Sequence, residues 1–283
     1  MVNKRNSQRP RESMQEMRAG YLKEMDSDIS RLIPQVKYWE EDLPEQHEEQ
    51  PTAPQLIRVN KINDTWMEIP RYENISWSGM WVVGLLSLIS LGMYCSFFQF
   101  PDFFSKVSLE DKITILVIIF LFISLFFFFM KMALFVPRGT PVRFNRQRQK
   151  VYVYEHQRSN WNPWSRWPTV IKVFDWADIH GEMVRQVGRY DSGHRLSCAV
   201  CKPGTYEVVD RFILSWTEGD SRVIRGLWSH CCQYMQGKTV PETPLLTRKP
   251  WSWCPINTIR WPQDIDREST TAPDASFRVD KIE

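Results

Sequence analysis

Cys198-Ala-Val-Cys201 repeats a thiol at the interval of a zinc knuckle, and His230 and Cys232, beside Cys231, could complete four ligands for a tetrahedral ion. Two features point instead to packing. Alternation along a strand sends Cys198 and Cys201 to opposite faces, and Cys231 falls on an apolar helical stripe, where a buried thiol behaves as a small hydrophobe.

A second grouping is electrostatic. Arg138, Arg143, Arg146, Arg148 and Lys150 follow one another with no acid between them. Such a cluster could hold anionic headgroups, at about 1 kcal/mol per charge near a bilayer, although any cytoplasmic flank of a membrane span is basic in the same way. The third grouping is aromatic: Trp161, Trp164 and Trp167 stand in a Pro-containing stretch, as do Trp251, Trp253 and Trp261. They offer a partner-binding or bilayer-facing surface, or loop packing.

The five histidines form no HExxH pattern, and the chain has no glycine-rich phosphate loop, serine elbow or kinase set. The expectation is a protein that is not an enzyme and carries no cofactor. A net charge of +3 is too balanced to call for nucleic acid. Six cysteines, of which Cys95 lies in an apolar run, do not form a disulfide framework and suit a reducing compartment. Residues 1–11 are basic and polar, unlike an export signal.

The elements that must position these groups begin with two oily segments. No Asp, Glu, Lys or Arg occurs between Asn74 and Pro101, and Ile113–Phe129 is an uncharged run broken only later by Lys131. Each is long enough for a bilayer core, which takes roughly 20 residues. The expected spans are 77–100 and 113–136, joined by a short external loop at 101–112. Lys131 is near enough to the end of its helix to extend its stem toward the interface. Eight basic residues flank the pair outside the loop (Arg58, Lys61, Arg71, Arg138, Arg143, Arg146, Arg148, Lys150) against Lys106 and Lys112 within it, which places both termini in the cytoplasm.

Before the spans, apolar residues at Met14, Met17, Tyr21 with Leu22, Met25, Ile29 and Leu32 with Ile33 keep a three-and-four spacing, so residues 1–33 read as an amphipathic helical arm. It would dock on the protein's own domain or on a partner. Prolines and acids make 34–55 a linker, and 56–73 a juxtamembrane hairpin with strands at Leu56–Ile62 and Thr65–Ile69. Residues 138–261 read as a cytoplasmic β domain with strands at Val142–Asn145, Val151–His156, Val170–Phe174, Ile179–Val187, Leu196–Lys202 and Glu207–Leu214. A helix at 220–236 follows, capped by Asp220 and stopped by Gly237. Short connections make the sheet antiparallel. The expected fold class is therefore an α+β membrane protein: a two-helix hairpin plus an antiparallel β domain, pleckstrin-homology-like in element order, closed by a helix. Residues 262–283 read as a disordered tail.

With Pro141-Val-Arg-Phe-Asn-Arg-Gln-Arg-Gln-Lys-Val-Tyr-Val-Tyr-Glu directly after a two-helix hairpin, the chain resembles, over roughly Leu56 to Gly237, an uncharacterised proteobacterial family of inner-membrane proteins often associated with type VI secretion loci. The resemblance implies a bacterial inner-membrane location and a protein partner, for instance a secreted effector neutralised by an immunity protein. It defines no catalytic residues. A scaffold that senses anionic lipid is the alternative, and a membrane-permeabilising effector a weaker one.

Overall fold

The structure, a computed structural model, describes residues 30–71, 77–97, 107–137, 139–157, 162, 164–187, 192–247 and 259–273. The amphipathic arm expected at 1–33 lies almost wholly outside the described residues.

Strands β1 (Trp39–Asp42), β2 (Lys61–Ile62) and β3 (Trp66–Pro70) precede two helices, α1 (Trp77–Ser96) and α2 (Leu109–Phe135). Then come β4 (Pro141–Asn145), β5 (Lys150–His156), β6 (Thr169–Asp175), a 3-10 turn at Trp176–Asp178, β7 (Ile179–Val187), β8 (Ser192–Cys201) and β9 (Val208–Glu218). Two helices end the series, α3 (Ser221–Met235) and α4 (Gln263–Thr270). One antiparallel sheet has the order β2-β3-β4-β5-β6 and the other β1-β7-β8-β9.

Period-two alternation explains the strands. Val142 and Phe144 of β4, Val151 and Val153 of β5, Met183 of β7, Leu196, Cys198 and Val200 of β8, and Phe212 and Leu214 of β9 all enter one core between the sheets. The core is closed by α3, whose Ile224, Leu227, Trp228, Cys231 and Met235 recur at helical spacing. Asp220 caps α3 by accepting from Arg222 N at 2.9 Å, and Gly237 follows it with φ 78°, a left-handed conformation that glycine adopts without strain. Trp228 is the keystone. Its indole donates to Pro44 O at 2.8 Å, lies 5.5 Å from the Trp176 ring, and covers Gly181, where a Cβ would come within 2.7 Å of the ring.

The helical pair is inserted into the β domain rather than appended to it. β3 and β4 are hydrogen-bonded neighbours, with Pro70 opposite Pro141, although α1 and α2 lie between them in sequence. This end of the sheet is the hairpin end, and the opposite end the far end. Both helices are long and apolar enough to cross a membrane. They pack closely where Gly84 leaves room for Met130, whose Sδ would be 3.3 Å from an added Cβ.

Three expectations need correction. Residues 34–55 are not a free linker: β1 adds to the edge of β7, Leu43 is buried in the core, and Gln55 N donates to Gly226 O at 2.9 Å. The acids that suggested a solvated chain are instead matched, Glu41 to Arg225 through bonds of 2.6 and 3.0 Å and Glu40 to His194 at 2.6 Å. The juxtamembrane hairpin keeps only β2 and β3, because Leu56 O and Ile57 O accept from Leu245 N and Leu246 N instead of extending the first strand. Finally, 262–283 is not wholly a disordered tail: α4 is docked on the outer face of β4 and β5. The span limits also shift, to Trp77–Ser96 and Leu109–Phe135.

Candidate functional site

The thiols do not assemble into a metal site. Cys198, Cys231 and Cys232 lie in the main core, whereas Cys201 sits on the other face of β8 with Leu32 and Ala199. Among the described residues no group of three or more His, Cys, Asp or Glu is placed to hold a metal ion. Burial raises Cys198 and Cys231 well above the ordinary thiol range, raises Cys232, and pushes Cys201 up to about 11, so the thiolates that a metal needs are disfavoured. His230 is fully buried, and burial lowers its pKa. Its Nε2 lies 2.8 Å from Pro241 O; a carbonyl only accepts, so the proton is on Nε2.

The described members of the basic cluster are paired within the protein, and of them Arg143 is buried. Arg143, whose side chain is 8 % exposed, donates to Glu68 and Asp266 at 2.6 Å each between the rings of Trp66 and Trp261. Arg146 pairs with Asp64 at 2.7 Å. Arg148 donates to Thr271 O and Ala272 O, and Lys150 approaches Glu268. Tyr152 donates to Glu268 at 2.9 Å, and burial first, then that bond, raises its pKa. Arg143, Arg148, Lys150 and Tyr152 hold the C-terminal segment on the sheet, so most of the expected headgroup site is engaged by the protein itself. Arg138 lies outside the described residues.

The described residues 164–168 of the aromatic loop between β5 and β6 fold onto α2. Trp167 meets Phe128 edge-on at 6.2 Å, and Phe128, Met132, Val136 and Trp167 make a small core. Lys131 Nζ donates to Ser165 O at 2.6 Å and stands 4.3 Å over the Trp167 ring. Trp164, 5.6 Å from Phe127, stays exposed. Trp161, Met14, Met17, Leu22 and Met25 lie outside the described residues, as do Trp251 and Trp253.

Arg71, which sequence reading used only as a topogenic charge, is buried at the hairpin end. Its guanidinium donates to Thr140 O (2.9 Å), Tyr154 O (2.6 Å) and Ile213 O (3.1 Å), carbonyls from both sheets. A hollow of about 210 Å³ lies beside it, lined by Val136, Pro137, Glu155, His156 and Trp216.

The far end carries the more accessible site. A hollow of about 260 Å³ is lined by Glu45, Gln46, His47, His180, Lys202 and Tyr206, among others. It adjoins a second of about 420 Å³ through Gln46 and His47. Gln46 is fixed by donating to Trp176 O and Ile179 O. His180 Nδ1 donates to Glu45 Oε2 at 2.9 Å, and this bond, with Arg31 3.2 Å away, holds the Glu45 carboxyl below its ordinary value. A carboxylate–imidazole pair is also the base half of a nucleophilic triad. Thr205, however, directs its hydroxyl to Lys202 O at 3.0 Å. The rim is apolar. Ile33, Tyr206 and Val209 are exposed and brought together by Ile33 N donating to Tyr206 O and Val208 N to Ile33 O. None of these residues stands in a local motif; they come from three separate segments.

Residues 118–254 match the model of DUF6708, a family of unknown function. The match begins inside α2 and takes in β4–β9 and α3, leaving out α1 and the first three strands. No curated protein and no solved structure matches the chain.

Proposed function

We propose that the protein is a non-enzymatic, two-span inner-membrane protein whose β domain holds a protein partner at its far end. The membrane part rests on how bare the helices are: 11 % of the apolar window of α1 and 6 % of that of α2 is buried inside the protein. A soluble core helix of this composition would be covered, because leaving it in water costs about 25 cal/mol per Å² of apolar surface. Basic residues on the domain side of both helices favour cytoplasmic termini.

The observation that carries the binding role is the far end itself, where a polar hollow is lined by the exposed Tyr206 and the exposed Ile33 is hydrogen-bonded beside it. Exposed aromatic and apolar groups next to polar ones suit a protein partner, because interfaces are enriched in Tyr relative to the rest of the surface. Seven strands in antiparallel sheets, β3–β9, interrupted by the helical pair between β3 and β4 and followed by α3, support a pleckstrin-homology-like reading. The lipid-sensing alternative is weakened by the burial of Arg143 and by the pairing of Arg146 and Arg148 within the protein.

In the version that the type VI resemblance implies, the partner is an effector acting at the inner membrane, and the protein confers immunity. A photoreactive amino acid at Tyr206 should then give a discrete adduct with that effector in cells, whereas one at Val173, exposed on the other sheet, should not. Deletion of the gene should sensitise cells to a sibling that delivers the effector. Equal competitiveness of deletion and parent strains against every sibling attacker would reject immunity, and the absence of any adduct at Tyr206 would reject partner binding there.

A further inference from the structure

The uncharged stretch of α2 from Ile113 to Met130 rises about 27 Å at roughly 1.5 Å per residue, close to the ~30 Å of a bilayer's hydrocarbon core. Lys131 therefore falls at the domain-side boundary of that core, and the last turn of the helix stands beyond it. In that last turn Met132 and Ala133 are buried, unlike most of the residues before them.

The β5–β6 loop is fastened at this height. Lys131 holds it through Ser165 O and the face of Trp167. Trp164 lies against Phe127, one turn toward the core from Lys131. Both rings are half exposed, at 59 % for Trp164 and 49 % for Phe127, so the indole extends the bare surface of the helix sideways. Arg166, two residues on, is exposed as well. An indole at the edge of the core with cations beside it is the composition of a membrane interfacial layer, where the ring sits among headgroups and the cations meet phosphates.

We infer that the β5–β6 loop is a lipid-facing anchor: Trp164 enters the headgroup layer, Arg166 and Lys131 face its phosphates, and the β domain is held at a fixed height with its far end turned away from the bilayer. The inference rests on the proposal that α1 and α2 span a membrane. It accounts for an apolar side chain left exposed on a loop that is otherwise clamped.

The test uses the full chain in vesicles of phosphatidylethanolamine and phosphatidylglycerol, with benzophenone-bearing residues placed singly at positions 120, 164 and 206. Phe120 is exposed in mid-span and Tyr206 at the far end. Lipid adducts at 120 and 164, with loss of the adduct at 206, support the anchor, and the melting temperature of each sample checks that the domain remains folded. Adducts at 120 without 164 overturn the anchor and leave the spans standing. No lipid adduct at either position overturns both, and equal yields at all three positions overturn the anchor by showing no ordering by depth.

Discussion

At the hairpin end of the β domain, Arg71 gathers the carbonyls of Thr140, Tyr154 and Ile213, and Trp167 is packed under Lys131 against α2. At the far end, Gln46 is pinned by two carbonyls, but Glu45, His180 and Tyr206 face an open hollow. The first end uses its polar groups to satisfy backbone that the inserted hairpin would otherwise leave unpaired. The second fixes a few groups and leaves the rest accessible. If the far end holds a partner as proposed, stability and interaction are divided between the ends, and substitutions should separate them.

The largest effect is expected at Arg71. Arg71→Ala removes the guanidinium from the buried Tyr154 O and the part-buried Thr140 O and Ile213 O and should cost about 3 kcal/mol, read as a fall in the unfolding midpoint of the detergent-solubilised protein; an unchanged midpoint would remove Arg71 from the hairpin-end account. Trp167→Ala comes next, at about 2 kcal/mol for a partly buried indole. It should also expose the β5–β6 loop to protease, and a loop that remains resistant would mean that Lys131 and Phe128 do not hold it.

The far end should respond to pH more than to truncation. Because Glu45 has a depressed folded pKa, owed first to the His180 bond, its charged form stabilises the fold above the ordinary value of 4.5, and that contribution is lost as pH falls through the lower folded value. Glu45→Gln should therefore flatten the acid limb of the stability profile below pH 4.5. Retention of the parent's acid limb would show that the pair contributes nothing. Smallest of all, Tyr206→Ala should change stability by no more than about 0.5 kcal/mol while abolishing partner binding; a large loss of stability would make Tyr206 a structural residue and blur the division between the ends.

What sequence made legible follows the same line. The hairpin, six of the strands and α3 carry their own periodicity, so Val151 with Val153 and Ile224 with Leu227 and Trp228 declare a face before any partner is known. β1 and α4 do not. Trp-Glu-Glu-Asp looks like solvated chain until Arg225 and His194 arrive from far along the sequence, and α4 is held by Arg143, Asn145 and Arg148 rather than by an apolar stripe. The fate of the cysteines was legible, because strand alternation rather than interval decides which thiols meet, and it separates Cys198 from Cys201. His180 and Glu45, 135 residues apart, give no local sign of their pairing.

The account depends most on α1 and α2 residing in a lipid core. Washing membranes from expressing cells with alkaline carbonate tests this directly: the full chain should remain in the pellet and leave it only with detergent. Release into the wash as a monodisperse protein would contradict the two-span reading and with it the lipid-facing anchor.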